Sequence, residues 1–343
     1  MALPDSREPI NSVLDSRFVS AWDNEFGFSV DDLVRLLDAL DELGLASESA
    51  VFTIDGKALL DALAQAVGSQ RAASFLDRFS LSHRDRWDRT PTGFKAKDWY
   101  PWRFSRRLSL ISRPLVRLDS SDNPSYIVAP GLIRAGIHNS FVRTFEGELP
   151  ADSFGSGEMK GWIGTRSSEK GHDFNDSVAS VLRQDDWEVR CNIELPAALN
   201  RKLNKDYGDV DVLAWKHGDQ RILAVEAKDV GMARSEGEIA RQLYEFRGER
   251  FDSGEPDRLL RHLDRVSVLR QHFSQLKRNL ALPEDAVSID PWLVFSSPVP
   301  LQLVERTNIS VAPLDNLVAR LAESHFPKPN RNYPLAQAMQ IPP

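Results

Sequence analysis

The chain has 343 residues, 41% of them hydrophobic and 27% charged, with a formal net charge of −7. That length provides for about two domains with buried cores, and the negative balance excludes a surface coated for nucleic acid, so any such binding is local. Cys191 is the single cysteine, which excludes an internal disulfide and a Cys-rich zinc site and fits a reducing, cytoplasmic setting.

The opening residues, MALPDSREPINS, lack a basic region followed by an apolar run, so no secretory signal is expected. No stretch reaches the roughly 20 apolar residues that span a bilayer, and no membrane partner is expected. Ser29-Val-Asp-Asp32 reads as a capping box with Asp in place of Glu. It opens a helix whose apolar residues, Val30, Leu33, Val34, Leu37 and Leu40, recur at helical spacing, with Gly44 expected to stop it. A short strand is expected in VFTIDG, and after it helices over Lys57–Val67 and Gln70–Phe79. A winged-helix-like module and a plain helical cap both suit this pattern.

Residues 71–117 carry twelve Lys or Arg against four Asp or Glu, interspersed with Trp87, Trp99, Tyr100 and Trp102. A basic stripe with aromatic residues is one footprint of nucleic-acid contact, and an internal packing surface is the other reading. The candidates for phosphate contact here are Arg84, Arg86, Arg89, Lys95, Lys97, Arg103, Arg106 and Arg107. A short strand at Tyr126–Ala129 and a helix over Leu132–Phe145 complete a mainly helical N-terminal domain, residues 1–150, for substrate or partner binding. The Gly- and Ser-rich residues 151–167 read as a linker. A second domain over 168–325 and a Pro-rich tail at 326–343 come after it.

In the second domain a helix is expected from Gly171, with Phe174, Val178, Val181 and Leu182 as its apolar stripe. Arg190–Leu195 is the first strand, and the basic loop Asn200–Lys205 adds Arg201, Lys202 and Lys205 as further phosphate-contact candidates. Gly208–Asp229 then reads as two strands joined by a polar loop. Strand side chains alternate, so Asp209 and Asp211 share one face, and Glu226 and Lys228 share a face opposite Leu223, Val225 and Ala227. The second strand is too apolar for a typical edge strand. If the two faces align, two or three carboxylates and one ammonium meet, an arrangement suited to a divalent cation with a lysine beside it. Helices around Glu236–Phe246 and Pro256–Asn279, strands at Trp292–Phe295 and Ile309–Val311, and a closing helix at Leu314–Leu321 complete the pattern.

The order helix, strand, strand with Asp, strand with Glu-x-Lys, helix resembles the PD-(D/E)XK nuclease superfamily. The residues that carry the resemblance are Lys170-Gly171 with Phe174, Gly208-Asp-Val-Asp211, and Val225-Glu-Ala-Lys228. It implies an α/β, restriction-endonuclease-like mixed sheet flanked by helices over about half the chain. It also implies Asp211, Glu226 and Lys228 as catalytic residues, and Mg²⁺ or Mn²⁺ held by Asp211, Glu226 and the carbonyl of Ala227. Asp209, Asn175 and Gln242 would support them. Asn175 stands where many members carry a glutamate, which puts a two-metal mechanism in question. The activity implied is endonucleolytic cleavage of DNA to 5′-phosphate and 3′-hydroxyl ends, in phage defence, restriction or repair, and a homodimer would suit a double-strand cutter. An inactive nuclease-fold scaffold and an RNA nuclease are the alternatives.

Overall fold

The structure, a computed structural model, describes residues 14–84, 86, 88–100, 106–233, 235–304 and 309–323. Arg103 and the Pro-rich tail expected at 326–343 lie outside the described residues. The protein is a mixed α/β chain with a four-stranded and a five-stranded sheet. It divides into two units, one formed by residues up to Lys170 with 234–238, the other by Gly171–Ala233 with the residues from Ile239 onward. No helix among the described residues is long and apolar enough to cross a membrane.

In the first unit, Asp15 caps α1 (Ser16–Phe26), which buries Phe18, Ala21, Trp22 and Phe26 on one stripe. The capping box before α2 (Val30–Ser47) is formed in both directions: the Asp32 amide donates to Ser29 Oγ at 3.0 Å, and the Ser29 amide to Asp32 Oδ2 at 3.0 Å. Next come β1 (Phe52–Asp55), α3 (Gly56–Val67), α4 (Ser69–Phe79) and β2 (Ser80–Leu81). β3 (Leu115–Arg117), β4 (Ser125–Val128) and α5 (Pro130–Phe145) complete the N-terminal pattern. The sheet order is β1-β4-β3-β2, with only the β2/β3 pair parallel.

In the first unit two expectations from the sequence are not met. Gly44 does not stop α2; the helix continues to Ser47 and ends on Glu48 in the left-handed region at φ 52°. Gly44 serves packing instead: a Cβ there would lie 2.8 Å from Cγ of Pro130, at the start of α5. Residues 151–167 are not a linker. From Gly157 they belong to α6 (Gly157–Gln184), a helix of 28 residues. Met159, Trp162 and Ile163 recur at spacings of three and one and are buried in the first unit's core, while the second unit's core takes Phe174, Val178 and Leu182. The helical spacing outweighs the glycine content because Gly157, Gly161, Gly164 and Gly171 all face open space, where glycine costs propensity but no packing.

In the second unit, β5 (Glu188–Glu194), α7 (Leu195–Leu199), β6 (Asp209–Trp215) and β7 (Arg221–Lys228) succeed α6. α8 (Glu236–Glu245) and α9 (Arg258–Gln271) come next. The single helix expected over 256–279 is broken at His272, and α10 (Phe273–Leu280) starts anew. β8 (Ser288–Phe295), β9 (Ser310–Pro313) and α11 (Leu317–Glu323) complete the described residues. The sheet order is β5-β6-β7-β8-β9, antiparallel through β7 and parallel beyond it. β7 is therefore the central strand, covered on both faces, and its run Ile222–Ala227 is wholly buried.

Glycine placement in α2 and α6 gives opposite outcomes for the same substitution. Gly164→Ala should raise stability by up to about 1 kcal/mol, because an exposed helix interior gains propensity. Gly44→Ala should lower it, because a rigid proline ring stands in the way and overpacking costs about 1–3 kcal/mol. Thermal unfolding of the two variants checks the sign, with shifts of roughly 2–4 °C per kcal/mol.

Candidate functional site

Carboxylates on a buried central strand demand partners, because an unpaired charge in an apolar interior costs several kcal/mol. Glu226 is 4% exposed on β7 and has such partners. Lys228 Nζ lies 2.8 Å from Glu226 Oε1 and 3.3 Å from Asp211 Oδ2. Arg265 Nη1 donates to Glu226 Oε2 at 2.6 Å and also to the backbone carbonyl of Asp209 at 2.6 Å. The structure thus brings Asp211, Glu226 and Lys228 together on adjacent strands. The register explains it: the β6/β7 ladder pairs Val212 with Val225, and one residue further Asp211 stands opposite Glu226. There the carboxylate takes over from the ladder, as the Ala227 amide donates to Asp211 Oδ2 at 2.9 Å.

Backbone carbonyls alternate in direction along a strand. Lys228 O accepts from the Ser296 amide, beyond β8, so the Ala227 carbonyl faces the β6 side, toward Asp211. Two carboxylates and one carbonyl are hard oxygen donors that suit a single Mg²⁺ or Mn²⁺. Among the described residues no group of three or more His, Cys, Asp or Glu is arranged to hold a metal. Asn175, where a further carboxylate would extend the set, is buried on α6 and donates through Nδ2 to Asn192 Oδ1 at 2.8 Å. Asn192 has a left-handed backbone at φ 51° and sits on β5 in register with Asp211, between the pairs Cys191–Val212 and Ile193–Val210.

Asp209, expected in a supporting place, contributes its backbone carbonyl to Arg265. Gln242 donates to the carbonyl of Gly231 at 3.1 Å, which ties α8 to the loop after Lys228. Arg201, Lys202 and Lys205 lie in the loop that leads into β6, where Lys205 pairs with Asp264 at 3.9 Å and sits over the Tyr207 ring. Arg84, Arg86, Arg89, Lys95, Lys97, Arg106 and Arg107 belong to the first unit. Of these, Arg86 pairs with Asp88 at 2.7 Å, and Lys95 and Lys97 share Asp152 at 3.0 and 2.5 Å.

A family model for Upx-like anti-phage proteins matches residues 6–316. The chain belongs to the Upx-like family of anti-phage proteins. Of the settings expected for it, phage defence is the one this membership supports. Neither curated proteins nor solved structures gave a significant match.

Two site residues of this Upx-like chain, His262 and Arg265, are not among those the sequence singles out. They are three apart on α9, on the face that also buries Leu259, Val266 and Leu269. A histidine and an arginine inside an apolar stripe were the available signal. Asp257, fully buried, fixes where α9 begins: it accepts from the amides of Leu260, Gly248 and Glu249 at 2.8–3.0 Å. Burial pushes the Glu226 carboxyl up, but Lys228 and Arg265 outweigh it and hold the group at about 2. Burial and the neighbouring Glu226 charge raise Asp211 instead, so it is the member of the pair that takes up a proton first. Burial likewise opposes the Lys228 charge, and the two carboxylates raise its pKa regardless.

His262 is 0% exposed, with Nδ1 3.6 Å from Glu226 Oε2. Burial, reinforced by Arg265 and Lys228 against the pull of Glu226, lowers it from 6.5 to about 4. The folded state refuses a proton that the unfolded chain accepts, so this stabilisation is complete above about 6.5 and is lost as pH falls through about 4. Urea unfolding across that window should show the wild type losing more stability than His262→Leu, by a few kcal/mol at most. Parallel pH profiles for the two proteins would contradict this assignment.

Proposed function

We propose that the chain is a metal-dependent phosphodiesterase of the restriction-endonuclease-like fold, cutting DNA as its contribution to phage defence. The observation that supports this reading is the convergence of Asp211 and Glu226 on the Lys228 ammonium, at 3.3 and 2.8 Å. On this reading Asp211, Glu226 and the Ala227 carbonyl hold one Mg²⁺ or Mn²⁺. When bound, that ion lowers the pKa of its water and offsets charge on the transferring phosphoryl group.

The protein's own groups carry the rest. Arg265 keeps Glu226 ionised and fixes its orientation by holding Oε2. Lys228, about a quarter exposed while Glu226 is nearly sealed, is the group of the cluster that substrate can reach. Its ammonium orients the attacking water or stabilises a phosphoryl oxygen. The Asn175–Asn192 hydrogen bond holds the neighbouring β5 backbone in place and adds no charge. The basic loop through Arg201, Lys202 and Lys205 enters the strand that bears Asp211, where it would meet the phosphate backbone.

One observation favours a second reading, a nuclease-fold protein that binds nucleic acid or scaffolds a complex without cutting. Lys228 and Arg265 already balance Asp211 and Glu226, and Asn175 is neutral.

Purified full-length protein with Mg²⁺ or Mn²⁺ should nick or linearise plasmid DNA. Asp211→Asn and Lys228→Met should each slow cutting by at least about 100-fold, the scale of losing a charge-stabilising group. The same variants should lose phage protection in a plaque assay. Protection that survives Lys228→Met favours the scaffold reading, and cleavage of RNA in place of DNA moves the activity to the other nucleic acid. Equal cutting by wild type and both variants removes these residues from the chemistry.

A further inference from the structure

The first unit contains a feature that the phosphodiesterase reading leaves unused. Arg78 on α4, Arg107 and Arg113 in the segment before β3, and Arg143 on α5 all line one cleft. Among the described residues, no Asp or Glu lines it. Arg78, Arg107 and Arg143 stand 3.7, 3.6 and 3.5 Å from the carboxylates of Glu25, Asp98 and Glu148, longer than a charge-assisted hydrogen bond. Glu25 is moreover taken by the amides of Gly155 and Ser156, at 3.0 and 2.7 Å. Arg113 is oriented by two backbone carbonyls, of Asp77 and Ser80, both at 2.9 Å. Trp22 lines the same cleft, is 1% exposed, and its indole Nε1 has no hydrogen-bond partner.

This inventory is one-sided. Guanidinium and indole groups only donate, so these side chains bring donors and positive charge, and the acceptor side chains in the lining, Ser112, Asn139, Ser140, Thr144 and Ser153, are neutral. Burial, with Arg113 and Arg107 nearby, lowers Arg78 to about 10, and it stays protonated at neutral pH. Gathering four guanidinium groups in a partly desolvated cleft sets like charges against one another, and an anion seated between them would offset that repulsion. Guanidinium groups approaching from separate elements match a tetrahedral polyanion better than a flat carboxylate, which one fork satisfies.

We propose that this cleft binds the phosphoryl group of a small, diffusible phosphate compound. A duplex backbone is the less suitable occupant because the arginines are recessed: the side chains of Arg78, Arg107 and Arg143 are only 25%, 27% and 22% exposed. The cleft thus admits an inserted group and does not present a rail of protruding cations. Arg107, which the sequence grouped with the phosphate-backbone contacts, changes role accordingly. The proposal is independent of the chemistry assigned to Asp211, Glu226 and Lys228.

Calorimetric titration of the full chain with inorganic phosphate, pyrophosphate and adenosine monophosphate tests it, with duplex DNA as a competitor arm. At least one of the three small compounds should bind saturably. Arg107→Gln and Arg143→Gln should each weaken that binding about tenfold or more, the scale of one charged hydrogen bond. Arg241→Gln, on the exposed face of α8, should leave it unchanged. The two cleft variants alter different elements, so a thermal-unfolding control that disqualifies one leaves the other to decide. No saturable binding of any small compound up to about 10 mM overturns the proposal. So does equal affinity in every variant, or DNA binding that depends on these arginines and that small phosphates fail to displace.

Discussion

The second unit is organised around one unfavourable act, the placing of the Glu226 carboxylate inside the central strand of a mixed sheet. An isolated ion there would be intolerable, so its partners are structural requirements before they are anything else. Lys228 arrives through strand periodicity, two residues on and on the same face. Arg265 arrives through tertiary structure, on a helix whose first turn is pinned by the buried Asp257. The same guanidinium holds the carbonyl of Asp209, so it joins β6 to β7 beyond the point where their ladder ends. The gap in the ladder and the charge cluster are one feature: where strand hydrogen bonds stop, side chains take over the backbone amide and carbonyl.

The first unit spends its charge differently. Its core is aromatic, with Phe18, Trp22, Phe26, Phe75 and Phe79 in ring contact with one another or with neighbours. Arginine is used against those rings as well as against carboxylates: Arg78 lies over Phe26, and both Arg107 and Arg113 over Phe94. Ring faces let several guanidinium groups approach one another without a carboxylate between each pair.

Period-two alternation on an apolar background made the strands of 209–228 legible, and with them Asp211, Glu226 and Lys228. The same reasoning placed β7 away from an edge, and it is central. What failed was read from composition and not from spacing. Gly and Ser between 151 and 167 looked like a linker, yet Met159, Trp162 and Ile163 keep helical spacing through them. Gly44 looked like a stop because nothing in the sequence shows Pro130 lying against it. Arg265 and His262 were hidden for a related reason. Their meaning depends on which strand α9 covers, and tertiary packing, not periodicity, decides that. The excess of arginine in 71–117 was visible, but its convergence with Trp22 and Arg143 on one cleft was not.

The two carboxylates of the site are not equivalent, and the difference separates structure from chemistry. Glu226 is held on both oxygens by Lys228 and Arg265, so neutralising it would leave two cations without their shared counter-ion in a buried place. Asp211 is less buried, and its Oδ2 accepts from a backbone amide and from Lys228. Its loss leaves Lys228 still paired with Glu226, and an asparagine there retains an oxygen for the Ala227 amide. Glu226 therefore answers first to the fold, whereas Asp211 can be altered with the surrounding packing largely preserved. A charge the protein does not need for its own cohesion, placed beside one it cannot do without, is where a ligand can be engaged without dismantling the sheet.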